Sequence, residues 1–132
     1  KRGFKKNENS LEGCYFNFEK IDNYQHGIHD YFKFLKFGFG RATDQLSYCV
    51  RRGLISRDEA MQKVKQIEGK FPSSYLGKSL KDILSKIKIS EKDFIKICDK
   101  FTNKKIFKCD QKGDLTKDES GSLIKLIYDN ND

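Results

Sequence analysis

The stretch Ile55-Ser56-Arg57-Asp58-Glu59-Ala60-Met61-Gln62-Lys63-Val64-Lys65-Gln66-Ile67-Glu68-Gly69 decides the fold class. Ser56 with Glu59 three residues on is a capping box, and Ile55 with Ala60 supplies the hydrophobic staple. Ala60, Met61, Val64 and Ile67 recur at helical spacing, so this face is expected inward. Gly69 ends the helix, and Pro72, the only proline, blocks its continuation. The same start recurs downstream: Ile89-Ser90 with Asp93 opens a helix over 91–101 that carries Phe94, Ile97, Cys98 and Phe101 on its apolar face. The shared start is common helix chemistry and does not mark a repeat.

Working outward, Ile28, Tyr31, Phe32 and Leu35 predict a helix over 28–37 that stops at Gly38 and Gly40. Thr43 as N-cap predicts a second helix over 44–52, with Leu46, Cys49 and Val50 inward and Gly53 in the left-handed C′ position. Leu80, Ile83, Leu84 and Ile87 predict a helix over 80–88. After residue 104 the period changes. Ile106, Phe107, Leu115 and the run Leu123 to Tyr128 look strand-like, separated by turns at 111–114 and 119–122. Residues 1–24, with Gly3, Gly13, Asn7, Asn9 and Ser10, form an extended lead-in anchored by Phe4, Tyr15, Phe16 and Phe18. Such a segment is expected to lie on a partner surface missing from this chain. The fold class is therefore mainly α: about five helices over 25–104 and a β-hairpin tail over 105–132.

The chain has 132 residues, with eleven Phe and six Tyr, which excludes a disordered composition. Its net charge is +8 and its pI about 9.3. Two readings of that charge stand side by side: an anionic partner, or a soluble lysine-rich surface. The arginines gather at Arg41, Arg51, Arg52 and Arg57, and arginine is the better anion fork. Lys1 in place of Met makes the start read as a cut inside a longer protein. No apolar run approaches the roughly 20 residues that a membrane helix needs. Cys14, Cys49, Cys98 and Cys109 form no C-x-x-C pair and read as reduced thiols of a cytosolic protein. A zinc set of Cys14, His26, His29 and Cys49 fits no common spacing. Asp110, Asp114 and Asp118 fail as a calcium loop, because Leu115 stands where glycine is required.

The candidate site is Lys36-Phe37-Gly38-Phe39-Gly40-Arg41-Ala42-Thr43-Asp44. Glycines admit close backbone approach, and a helix N-terminus offers free N–H groups to an anion. Arg41 adds a bidentate clamp. The competing reading is a plain helix–loop–helix corner. His29 lies near this loop and is a candidate substrate contact, while its H-x-x-H pairing with His26 reads first as a cap and a packed ring. The aromatic run Tyr31, Phe32, Phe34, Phe37 and Phe39 reads as core or domain interface before nucleic-acid stacking. No catalytic set stands out among the residues.

Taken together, Tyr31, the 36–44 stretch, Arg52-Gly53, the 55–60 stretch and Glu68-Gly69 resemble the C-terminal region of the N-acetyl sugar amidotransferases of lipopolysaccharide O-antigen and of pseudaminic or legionaminic acid biosynthesis. Asn17-Phe18, Ile21-Asp22 and His29-Asp30-Tyr31 resemble that family too. The family is similar to the PP-loop ATP pyrophosphatases, and the resemblance implies that this chain is a fragment of a larger α/β enzyme. The resemblance implies adenylation of a sugar acetamido oxygen by ATP with Mg, then displacement of AMP by ammonia from a glutaminase partner. The expected S-G-G-x-D-S motif is absent from these residues, so this segment alone is expected to be inactive. The partners implied are an N-terminal ATP-binding half and an N-acetyl sugar or nucleotide-sugar, with no membrane. In that frame Lys36, Gly38, Gly40, Arg41, Thr43, Asp44, Arg52, Arg57 and His29, with Arg51 adding positive potential, are expected to hold phosphate or the sugar's anionic group. Two rivals remain: a nucleic-acid module with strongly salt-dependent binding, disfavoured by the interspersed acids, and a docking domain that touches no substrate.

Overall fold

The computed structural model describes residue 3, residues 5–119 and residues 121–126; Phe4, Ser120, Ile127 and Tyr128 lie outside them. The elements are α1 (His26–Phe37), α2 (Arg41–Arg51), α3 (Arg57–Ile67), β1 (Ser74–Tyr75), β2 (Lys78–Ser79), α4 (Leu80–Ser85) and α5 (Glu91–Phe101). The mainly-α fold class and the five helices are as expected from the sequence.

Hydroxyl caps explain three of the helix starts. Ser56, Ser79 and Ser90 each accept a backbone N–H three residues on, from Glu59, Asp82 and Asp93. Each cap satisfies one of the amides that a helix start leaves without an intrahelical partner. α1 ends on Gly38 in the left-handed conformation, φ 74°, where its N–H reaches Phe34 O.

α1 is the central element. One core gathers Phe34 and Leu35 of α1, Leu80 and Leu84 of α4, Phe94 and Cys98 of α5, and Phe107. A second core joins Ala42 and Leu46 of α2 to Ala60 of α3, with Tyr15, Val50, Ile55, Val64 and Ile67 against it. Each fully buried leucine contributes on the order of 2 kcal/mol of transfer free energy. Gly38-Phe39-Gly40 is the hinge between the two cores.

Several expectations need correction. α2 begins at Arg41 with Gly40 as N-cap, so Thr43 lies inside the first turn and does not cap. The side chain that serves this helix start comes from the end of α3: Glu68 accepts the Thr43 N–H. Met61 and Phe101 are exposed, at 51% and 48%, because α3 and α5 are each covered on one narrow stripe. α4 stops at Ser85, where Ile89 N–H turns back to Leu84 O and Lys88 takes a positive φ of 56°; Ile87 is left outside. The only two-stranded ladder among the described residues is β1–β2, turning through Leu76 and Gly77, and the sequence reading missed it.

The tail has three single bridges in place of continuous strands: Phe107↔Lys125, Cys109↔Leu115 and Lys117↔Leu123. Lys108 N–H donates to Ile124 O, Ile124 N–H to Thr116 O, and Thr116 N–H to Lys108 O, closing a triangle of backbone bonds. The arms between these corners turn on Asp110, whose Oδ1 accepts from Lys112 and Asp114 N–H, and on Asp118, whose Oδ1 accepts from Ser122 N–H.

The lead-in has its partner surface within the chain. Leu11 and Cys14 are buried. Gln45 Oε1 accepts from Tyr15 and Phe16 N–H at 2.7 and 3.1 Å, and its Nε2 donates to Glu19 at 2.9 Å. Glu12 accepts from Ser74, and Tyr75 Oη donates to Lys20 O. Residues 11–24 are therefore stitched to α2 and to the hairpin.

Candidate functional site

α1, the start of α2, the end of α3 and the lead-in enclose a cleft of about 490 Å³. Asp30, Arg41, Gly40, Cys14, Tyr31 and Glu68 are among its lining residues.

Asp30 is the unusual residue of α1: an acid on the buried face, 6% exposed. Arg41 explains it. Its Nη2 donates to Asp30 Oδ1 at 3.0 Å and its Nε to Oδ2 at 3.3 Å, a two-pronged pair of the kind that suits guanidinium and carboxylate. The bond to Asp30 raises the Arg41 pKa above its ordinary value despite partial burial. His29 Nδ1 lies 3.3 Å from the same carboxylate, with its ring mostly in solvent. Burial, with Asp30 adding, pushes the neighbouring Cys14 thiol up to about 11, so it stays protonated at neutral pH and lacks the thiolate a nucleophile needs.

Glu68, the C-cap residue of α3, closes the other side. Its Oε1 accepts Thr43 N–H at 2.6 Å, which places a carboxylate on the amino end of α2, where the helix dipole favours it. Gly40 makes room: a Cβ there would sit 3.2 Å from Glu68 Oε1. Gly69 lets the chain leave α3 over the Phe34 ring, which a Cβ would meet at 2.8 Å. Gly27 does the same for Tyr75 at 2.6 Å.

The predicted set therefore divides. Gly40 and Arg41 line the cleft with Thr43 behind them, and there the Arg41 guanidinium is bonded to Asp30 and the Thr43 amide to Glu68. Gly38 is the α1 C-cap. Lys36 and Asp44 flank the α1–α2 corner, while Arg52 is the C-cap residue at the far end of α2. Lys36 sits over Phe101 at 5.1 Å and Arg52 over Tyr48 at 5.0 Å; Asp44 pairs with Lys33, which lies over Phe39 at 4.7 Å. Arg51 and Arg52 are ten or more residues along α2 from Arg41, about 15 Å at 1.5 Å per residue, so the arginines do not form one cluster. Arg57 is exposed at the first turn of α3.

Sequence reasoning gave no site role to Asp30, Glu68 or Gln45. A signal existed for two of them. Asp30 interrupts the Gly27–Tyr31–Phe34 stripe, and Glu68 is an acid at the carboxyl end of a helix, where that helix's own dipole disfavours it.

A nucleotide with Mg does not fit this arrangement. The α2 amino end already faces a carboxylate, and phosphate beside Glu68 and Asp30 meets like charge. No step through ATP is assigned to residues of this chain. Among the described residues no group of three His, Cys, Asp or Glu side chains is placed to hold a metal, and no helix is long and apolar enough to cross a membrane.

The fold and cleft define a small mainly-α domain built on an acid-locked helix corner. Residues 12–125 match the family model described as "LPS biosynthesis protein WbpG-like, C-terminal domain", and the chain belongs to that family. No curated protein and no solved structure matches it.

Proposed function

We propose that the chain is the C-terminal part of an ATP-dependent N-acetyl sugar amidotransferase of bacterial surface-glycan biosynthesis. The parent acts in the cytoplasm and converts a sugar acetamido group to acetamidino with ammonia from a glutaminase partner. The observation that carries this reading is membership of a lipopolysaccharide-biosynthesis family over 12–125, on a chain whose 36–44 and 55–60 stretches resemble the amidotransferases. ATP with Mg belongs to the N-terminal part of the parent.

This chain's contribution is the outer face of the α1–α2 corner. Phe37 and Phe39, 60% and 39% exposed, pack ring to ring at 6.2 Å, with Lys33 over the Phe39 ring at 4.7 Å and Lys36 next to Phe37 in the chain. Exposed aromatics rimmed by cations suit docking against the ATP half. Arg41 works from inside, holding the corner in shape.

The test is ATP-dependent amidination of an N-acetyl sugar by the parent protein, with ammonium salt as nitrogen source. Activity is expected, together with an S-G-G-x-D-S loop after a strand upstream. Arg52→Ala and Lys36→Ala should lower turnover while leaving the melting temperature of this chain unchanged. A parent with no ATP-binding half would sink the enzyme reading and leave a docking or anion-binding module.

A further inference from the structure

The two cores share no residue. The core around Phe34 and Leu84 draws on α1 and on residues from 80 onward. The core around Ala42 and Leu46 draws on residues 42–67 and on Tyr15. α2 packs on α3, whereas α1 packs on α5 and β1. Part of the lead-in belongs with α2 and α3: Lys63 lies over the Tyr15 ring at 5.9 Å, and Gln45 holds Tyr15, Phe16 and Glu19. The chain is thus two bodies, and the cleft of about 490 Å³ has walls from both: Cys14, Arg41 and Glu68 from one, Gly27, Asp30 and Tyr31 from the other.

The backbone joins the bodies at Lys20, at Gly38–Gly40 and at Gly69. Lys20, Gly38 and Gly69 all have positive φ, 58°, 74° and 82°. The bond from Thr43 N–H to Glu68 Oε1 holds the second and third of these joints side by side, so they define one axis, and the loop over 20–25 supplies the slack at the first. Hinges are built from a few such element-terminal residues. Across the cleft, Asp30 on one wall is bonded to Arg41 on the other. Lys33–Asp44 and Glu12–Ser74 add links that are more open to water.

We propose that residues 15–19 and 41–68 move together as a jaw about Gly38–Gly40 and Gly69, opening and closing the cleft against α1, with Asp30–Arg41 as the clasp that holds it shut. The jaw keeps its own core through the motion and is a unit of lower stability than the body it closes on. Phe39 stands between the two hinge glycines and on the docking face described above. A partner seated on Phe39 therefore sets the jaw angle. That consequence rests on the docking reading; the jaw itself rests on the geometry.

The experiment is thiol labelling of the full chain with a polymer-linked maleimide too large for the closed cleft, read at each cysteine by peptide mass. Cys14, Cys49 and Cys98 are buried alike, 5%, 3% and 4% exposed, so without a jaw all three react at one rate, that of global unfolding. Of the three, Cys14 alone lines the cleft, and it should react at least about tenfold faster than the other two. Asp30→Asn loosens the clasp and should raise the ratio of the Cys14 rate to the Cys98 rate by about tenfold. If Asp30→Asn does not fold, Asp44→Ala, which removes a more exposed link, should raise that ratio about two- to fivefold. The Tyr15 and Phe16 amides, which ride on Gln45, should exchange with solvent through rarer openings than those that expose Cys14. A single rate for the three thiols, a ratio unmoved in the folded variant, or Tyr15 and Phe16 opening in step with Cys14 would each overturn the inference, the last by showing that the lead-in peels off alone. A Cys14 rate that is the same in this chain and in the parent protein defeats the docking consequence and leaves the jaw.

Discussion

At the scale of single residues, the pair Asp30–Arg41 governs what substitution at the corner does. Asp30 is buried and Arg41 only 20% exposed at its side chain, so removing either partner strands a charge out of water. Arg41→Ala and Asp30→Asn should each cost about 3 kcal/mol, the low end for breaking a buried pair because Arg41 keeps some solvent. Urea unfolding checks this, and a loss below roughly 1 kcal/mol would mean that water reaches the pair. From sequence, Arg41 reads as a free anion clamp; that reading overlooks Asp30, because an acid eleven residues upstream gives no sign of lying on the same spot until the turn at Gly38–Gly40 brings it back. The thiols make a second prediction. Burial pushes Cys14 up to about 11 from its ordinary 9.0, and Cys98 up to about 12. The unfolded chain loses these protons near pH 9 while the folded chain keeps them. The unfolded state then binds fewer protons, so stability is full below pH 9 and falls as pH rises through 9 to 11. Cys14 alone accounts for about 2–3 kcal/mol over that window. The urea midpoint should drop accordingly, and Cys14→Ala should flatten the slope whatever it does to the midpoint at pH 7.

At the scale of elements, helix ends decide more than helix interiors. Gly38 and Gly53 both close helices at positive φ, 74° and 67°, yet they are not equivalent. A Cβ at Gly38 would sit 2.8 Å from Ile106 Cγ2, while at Gly53 nothing lies within 4 Å. Gly53→Ala should cost about 1 kcal/mol, the left-handed conformation alone. Gly38→Ala should cost clearly more, because the loop carrying Ile106 must also shift. Equal losses in thermal denaturation would show that Ile106 yields freely. These stops were legible in the sequence, as were the serine caps of α3 and α5, because each is written within four residues of chain. What was not legible is any feature carried by a second element. The α2 cap is Glu68, 25 positions from Thr43, so the local signal of Thr43 misled. The tail shows a further kind of miss. Asp110-Gln111-Lys112-Gly113-Asp114-Leu115 and Asp118-Glu119-Ser120-Gly121-Ser122-Leu123 share D-x-x-G-x-L at a spacing of eight. The sequence reading found turns there but not their equivalence, and the equivalence is what closes the backbone triangle.

At the scale of the whole molecule, the lead-in determines whether the chain behaves as one cooperative unit. Its composition reads as a strap without a partner, since glycine and asparagine leave no periodicity to follow. Its tie to α2 is a buried side chain, Gln45, 4% exposed, whose one carbonyl oxygen serves Tyr15 and Phe16 and whose amide reaches Glu19. A glutamine on the inward stripe of an amphipathic helix is a polar residue at a core position, tolerable only because every one of these groups is paired. Gln45→Ala leaves two part-buried amides without acceptors and frees the strap that walls the cleft. Each unsatisfied amide costs about 1–3 kcal/mol if it stays dry, less if the strap lifts and water enters. The expected result is local opening. In hydrogen exchange, the Tyr15 and Phe16 amides should lose protection together with Cys14, whose N–H pairs with Leu11 O, whereas α5 amides should keep theirs, because α2 contributes no residue to the core of Phe34, Leu84 and Phe94. Loss of protection spread evenly through α5 would show instead that the two cores unfold as one and that the strap holds both.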